Sequence, residues 1–211
     1  MRRHRDAPLA LVLLGLAALS GCFKSAGDSS TAASPAGGAA EVAAAVPGCL
    51  NPPSSLEGPE GAVCQFLEAI RTGDDRKTET MFVSQARQKI KDLEIPVTPR
   101  GSDTARFEIG QVEHLGEDGA RVPCRWTDLD RDGEKRADEM TWMLRKESEG
   151  WRIAGMAATV FEGEAPLLLN FEDPQEVVEK LDMLRQEIVR RAAKEAEQAQ
   201  RGEDPASPIQ R

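Results

Sequence analysis

Apolar residues along this chain change their spacing twice, and each change predicts a change of structure. In "GPEGAVCQFLEAIRTGD" Val63, Phe66, Leu67 and Ile70 recur at i, i+3, i+4 and i+7, the single-face pattern of a helix. Pro59 suits its first turn and Gly73 its stop. A second helical stretch has Met81, Phe82, Ala86, Ile90 and Leu93 as apolar positions, with Ser84 placed to cap a break within it and Pro96 and Pro99 ending it. From Ala105 the period falls to two. Val122, Cys124 and Trp126 alternate with Arg121, Pro123 and Arg125, and Met140, Trp142 and Leu144 with Thr141, Met143 and Arg145. Phe107 to His114 alternates less cleanly, and a tight turn at Glu149-Gly150 leads Trp151, Ile153 and Gly155 into a last strand running toward Phe161. The prediction is an α+β domain over 59–171, its N-terminal helices packed on a curved four-stranded antiparallel sheet.

A further helix is predicted over 172–200. Asp173 can cap it, Pro174 opens it, and Arg190, Arg191 and Lys194 sit near its negative end. Val177, Leu181, Leu184 and Ile188 form one narrow seam of two heptads, too short for a stable coiled coil alone. The seam has three fates open to it: packing on its own domain, association with a partner or a second copy, or exposure. Residues 201–211 are expected to be a disordered tail.

The other end changes the picture of where the domain lives. "MRRHRDAPLALVLLGLAALSGC" has Arg2, Arg3 and Arg5 before an apolar run from Ala7 to Leu19 that is too short to span a bilayer, which needs ~20 apolar residues. Leu19-Ser20-Gly21-Cys22 resembles the lipobox of bacterial lipoproteins. That resemblance implies cleavage after residue 21 and acylation of Cys22, with the periplasmic face of the cell envelope as location and Phe23 favouring the outer membrane. Two or three acyl chains, at ~0.8 kcal/mol per buried CH2, hold a protein durably to a bilayer. Residues 22–58, poor in large apolar side chains, are expected to be the lipidated Cys followed by a disordered linker. About 30 such residues span roughly 30 Å. Without residues 1–21 the chain keeps 24 Lys and Arg against 35 Asp and Glu, a net charge of −11 that repels phosphate backbones and argues against nucleic-acid binding.

"AVCQFLEAIRTGD", "MFVSQARQKI" and the closing hairpin "WMLRKESEGWRIAGM" together resemble the nuclear transport factor 2-like superfamily, over roughly residues 60–160. The resemblance implies a cone, with a bent sheet wrapped around the first helix and an apolar cavity lined by Phe66, Trp126, Trp142 and Trp151. Members of that superfamily include isomerases, cyclases and dehydratases as well as noncatalytic binding and assembly modules, so fold does not choose among them.

"DLDRDGEKRADE", Asp128 to Glu139, matches the full spacing of an EF-hand calcium loop. The match fails on context. An EF-hand needs an entering helix, yet "ARVPCRWT" alternates like a strand and contains Pro123. If the segment is a hairpin, aligning its apolar faces pairs Trp126 with Met140, Cys124 with Trp142 and Val122 with Leu144, leaving Asp132-Gly133-Glu134 at the tip. Glu139 then lies opposite Thr127, on the order of 15 Å from the tip at ~3.3 Å per residue. What survives is a weak Ca²⁺ site at Asp128, Asp130 and Asp132, in the ~10⁻⁴ to 10⁻³ M range, or an acidic turn with no ion at all.

Catalytic chemistry is thin. There is no Tyr, and His4 leaves with residues 1–21, so His114, expected at the surface, is the remaining imidazole. No nucleophile elbow, phosphate-binding Gly-rich loop or His-Glu-x-x-His occurs. Cys49, Cys64 and Cys124 remain after Cys22. They leave open a Cys49–Cys64 disulfide, a competing Cys64–Cys124 pair, or three free thiols. The expectation is a membrane-anchored lipoprotein acting as a noncatalytic binding or assembly module, its partner an envelope protein or a small apolar ligand, with no cofactor beyond weak Ca²⁺. The alternative is an isomerase or hydrolase using an Asp or Glu within the cone.

Overall fold

A computed structural model describes residues 46–92, 101–130 and 132–202. Helix α1 (Pro59–Thr72) forms where the apolar period predicted it and ends at Gly73, whose φ of 68° is the left-handed conformation that closes a helix. Its stripe of Val63, Phe66, Leu67 and Ile70 is buried against the sheet. Helix α2 (Asp75–Thr80), absent from the sequence reading, is started by Asp74, whose carboxylate accepts the Lys77 N–H at 3.0 Å.

Met81 and Phe82 are not helical, contrary to expectation. Met81 instead closes α2 with φ −86° and ψ −8°, and Phe82 makes a parallel bridge to Ile153 on β5 (Gly150–Ala158), with the Val83 N–H donating to Ile153 O at 3.0 Å and the Ile153 N–H to Met81 O at 2.9 Å. This pairing satisfies a free stretch of sheet edge and lets Phe82 meet Phe66 and Phe171 edge-on, each at 5.3 Å. Helix α3 (Ser84–Asp92) therefore begins at Ser84, whose N–H and hydroxyl both donate to Glu147 Oε1. Leu93, Pro96 and Pro99 lie outside the described residues.

The sheet is antiparallel but has six strands rather than four: β1 (Arg106–Ile109), β2 (Glu113–Leu115), β3 (Gly119–Leu129), β4 (Lys135–Glu147), β5, and β6 (Leu167–Asn170), in the order β1-β3-β4-β5-β6 with β2 also on β3. One extra strand comes from a break. Gly110 donates to Pro123 O at 2.7 Å, so Pro123 points its backbone toward β1 and β2, yet it has no N–H to continue the ladder there. The irregular alternation from Phe107 to His114 reflects this interruption. The other, β6, adds Leu169 to the core along the far edge of β5.

The β3–β4 hairpin takes a register two residues from the expected one. Trp126 faces Asp138, Cys124 faces Met140, Val122 faces Trp142 and Ala120 faces Leu144, while Glu139 lies opposite Arg125 rather than Thr127. A shift of two leaves every side chain on its original face, so apolar matching cannot distinguish the registers. The turn decides. The ladder closes at Leu129–Lys135, and Asp130 organises the loop by accepting the N–H groups of Asp132 and Glu134, each at 2.9 Å, with Gly133 at φ 78°.

The expected linker over 22–58 extends too far into the chain. Cys49 bridges Phe107 in parallel, the Leu50 N–H donates to Phe107 O and the Phe107 N–H to Gly48 O. Gly48 fits because a Cβ there would lie 2.5 Å from Arg71 Cδ. Residues 46–58 thus belong to the domain, and of the tail expected over 201–211 the first two residues continue the last helix; Cys22 and residues 203–211 lie outside the described residues.

Helix α4 (Pro174–Gly202) is capped by Asp173, whose Oδ1 accepts the Glu176 N–H at 3.3 Å. Its seam residues Val177, Leu181 and Leu184 pack partly buried against the core. Arg191 reaches the 161–164 loop, lying 3.7 Å from the Phe161 ring centroid and pairing with Glu164.

Candidate functional site

The side chains expected to line a cavity lie in the packed core. Phe66 meets Trp142 edge-on at 5.0 Å, Phe107 stacks on Trp126 at 5.9 Å, and Trp151 is 9% exposed. Phe66, Trp126, Trp142 and Trp151 line neither of two grooves formed by described residues. His114 is exposed, 6.2 Å from Trp151 between ring centroids.

Both grooves open on the sheet face turned away from α1. The first, about 400 Å³, is defined by a row of charges that the register sets directly across three strands: Glu108 on β1, Arg125 on β3 and Glu139 on β4. Each occupies the outward position of an alternating strand, and none forms an ion pair with another described residue. Pro123, Thr141 and Ala157 make the floor, and Asn51 forms a wall. Asn51 is fixed by two hydrogen bonds with Ile109, donating from Nδ2 to its carbonyl at 2.7 Å and accepting its N–H at 2.8 Å. A cation between two carboxylates above a small apolar floor suits a polar or zwitterionic group. It offers no imidazole. Cys124 borders the groove, but burial pushes its thiol up to about 12, so it is not a nucleophile at neutral pH. The Trp142 indole N–H is near enough to pull the other way yet makes no hydrogen bond among the described residues. The second groove, about 540 Å³, has Met143, Ala154 and Leu168 among its lining residues, together with the Arg145–Glu172 ion pair at 2.8 Å.

On the opposite, inward face lies Asp138. Its Oδ1 is buried with no hydrogen-bond partner among the described residues, and burial holds its carboxyl above the usual range against the opposing pull of Arg136. Its signal was present in the sequence as a charge in phase with Met140, Trp142 and Leu144, though the expected register placed Trp126 elsewhere.

The acidic hairpin tip is committed to its own turn. Asp128 Oδ1 accepts from Ser102 Oγ at 2.9 Å, from Thr104 Oγ1 and from the Leu129 N–H. Asp130 turns its other oxygen to Arg136 Nε at 2.7 Å, which together with the loop N–H groups holds its carboxyl below the usual range. Among the described residues Asp128, Asp130 and Asp132 are not gathered into a ligand group. Glu139 lies in the outer groove instead. Cys49, Cys64 and Cys124 are all buried free thiols.

The architecture is therefore an α+β domain with a helix layer on one face of an antiparallel sheet and open grooves on the other. No protein-family model and no curated protein matches the sequence. Among solved structures, a ketosteroid isomerase-like protein from Erwinia carotovora atroseptica is 18% identical with a TM-score of 0.34, covering 49% of this chain and 93% of its own. The association domain of CaMKII from C. elegans is 17% identical at 0.33, covering 43% and 84% respectively. An NTF-2 like protein of unknown function from Shewanella oneidensis is 18% identical at 0.32, covering 46% and 94%. Likeness at this level carries nothing about activity.

Proposed function

We propose that this protein is a membrane-anchored exported lipoprotein whose α+β domain is a noncatalytic binding module, with the Glu108–Arg125–Glu139 groove as its contact. The observation that carries the binding role is that row of charges, held in register on the open sheet face and left without ion pairs among the described residues. The lipobox ending at Cys22 supplies the anchor. A photo-crosslinking residue at Thr141, on the groove floor, tests the contact in the membrane-bound protein. A specific adduct that Arg125→Glu abolishes is expected; no adduct, or one indifferent to Arg125→Glu, overturns the role. Anchoring is tested separately: Cys22→Ser should lose incorporated fatty acid and leave the membrane fraction.

Asp138 favours a second reading, a small-molecule isomerase or hydrolase. A desolvated inward carboxyl with an unpartnered oxygen has the character of a general base. Turnover lost in Asp138→Asn but kept in Arg125→Glu would select this reading over the first.

A further inference from the structure

The ordered strap ahead of α1 brings two thiols to one place. Gly48 donates its N–H to Glu68 Oε2 at 3.1 Å, which seats the strap on the α1 face where Cys64 lies one turn before Glu68. Cys49, the next residue, is 8% exposed and Cys64 fully buried, and the backbone around Cys49 is fixed from its other side by Phe107. Cys124 lies in the sheet, opposite Ile109 on β1 and Met140 on β4. We propose that Cys49 and Cys64 are joined by a disulfide in the exported protein, stapling the strap, and with it the tether, to helix α1, while Cys124 stays reduced.

The chemistry is two thiol–disulfide exchanges with a small-molecule or protein disulfide as oxidant. The Cys49 thiolate attacks the oxidant's disulfide, forming a mixed disulfide and releasing one thiolate. The Cys64 thiolate then attacks the Cys49 sulfur and expels the second. The two protons lost by the cysteines end on the two released thiols, and the oxidant takes up two electrons. In the docked domain this is slow. Burial first, and then the neighbouring Cys49 thiol, hold Cys64 protonated, and the nucleophile must be a thiolate. The bond therefore forms while the strap is undocked, during folding, and once covered it is shielded from reductants.

An oxidising compartment follows from the export reading, so the test separates the two. Purified full chain is unfolded, reduced, and refolded in oxidised and reduced glutathione, then alkylated and cut after glutamate. This cleavage places Cys49 on 42–57, Cys64 on 61–68 and Cys124 on 118–134. The expected result is a linked 42–57/61–68 pair with Cys124 alkylated, in contrast to alkylation of all three thiols when glutathione is kept reduced. A Cys64–Cys124 or Cys49–Cys124 link, or three alkylated cysteines after oxidative refolding, overturns the staple. The same map on protein recovered from cells reports on export: a staple that forms in vitro but is absent in cells would contradict the exported location and leave the pairing intact.

Discussion

Glu68 holds Arg71 one turn along α1, Oε1 to Nη2 at 2.7 Å and Oε2 to Nε at 2.8 Å, while Oε2 also accepts the Gly48 N–H. One carboxylate thus ties the strap to the helix. Its hydrogen bond from Arg71, opposed by burial, keeps the carboxyl below the usual range. A carboxyl depressed in the folded state contributes stability above its unfolded pKa and loses it as pH falls through the folded one. Glu68→Gln should cost about 2 kcal/mol at pH 7, the scale of a charge-assisted hydrogen bond. In urea melts the deficit should shrink as pH falls below the ordinary glutamate range; a constant deficit would show that Glu68 acts through packing alone.

Asp138 predicts the opposite pH dependence. Burial raises its carboxyl in the folded state, so ionisation opposes folding, and stability falls as pH rises from the ordinary aspartate range through the raised value. Asp138→Asn should make the domain more stable at pH 7 and leave it unchanged in acid. A less stable variant at pH 7 would mean that the carboxylate has a partner that offsets its burial.

The aromatic cluster sets the largest single-residue effect. Phe66 is 2% exposed and wedged edge-on between Phe82 and Trp142. Phe66→Ala should cost about 3–5 kcal/mol by cavity formation, and Phe66→Leu clearly less. Equal losses in the two variants would indicate that edge-on geometry, rather than volume, holds this site.

Much of this architecture was legible where one face is apolar and the other is not. Val63 to Ile70 and Val122 to Trp126 reported their own burial because helix and strand periods differ. Pairing was less legible, because registers two residues apart bury the same side chains, and Asp130's capping of the turn outweighed the match of Trp126 to Met140. Met81 and Phe82 misled for a related reason. A single bridge residue on a sheet edge, Phe82 against Ile153, is too short to establish a period of two. The outer groove escaped notice because Glu108, Arg125 and Glu139 look like ordinary solvent-facing charges until the register aligns them.

The hairpin tip yields a test for calcium. Asp130 is engaged by two loop N–H groups and Arg136, and Asp128 by Ser102 and Thr104. Binding an ion at Asp130 requires breaking that pair, so millimolar Ca²⁺ should leave the amide resonances of 128–134 in place. Arg136→Gln frees Asp130 Oδ2 from the Arg136 Nε contact, and is the variant in which shifts should appear, in the ~10⁻⁴ to 10⁻³ M range of weak sites. Saturable shifts in the unaltered chain would restore the three-aspartate site.

Helix α4 supplies the last prediction. Val177, Leu181 and Leu184 are half-covered by their own domain, and Lys180 Nζ donates to Leu168 O at 2.7 Å beside them. Self-association through Val177, Leu181, Leu184 and Ile188 therefore competes with intramolecular docking that is already formed. Leu181→Asp should place an uncompensated charge against the core and cost about 1–3 kcal/mol. It should also expose the Lys and Arg residues of α4 to trypsin, while the soluble form sediments as a monomer with or without residues 172–211. A dimer that Leu181→Asp dissolves would show that the seam leaves its own domain to pair with another.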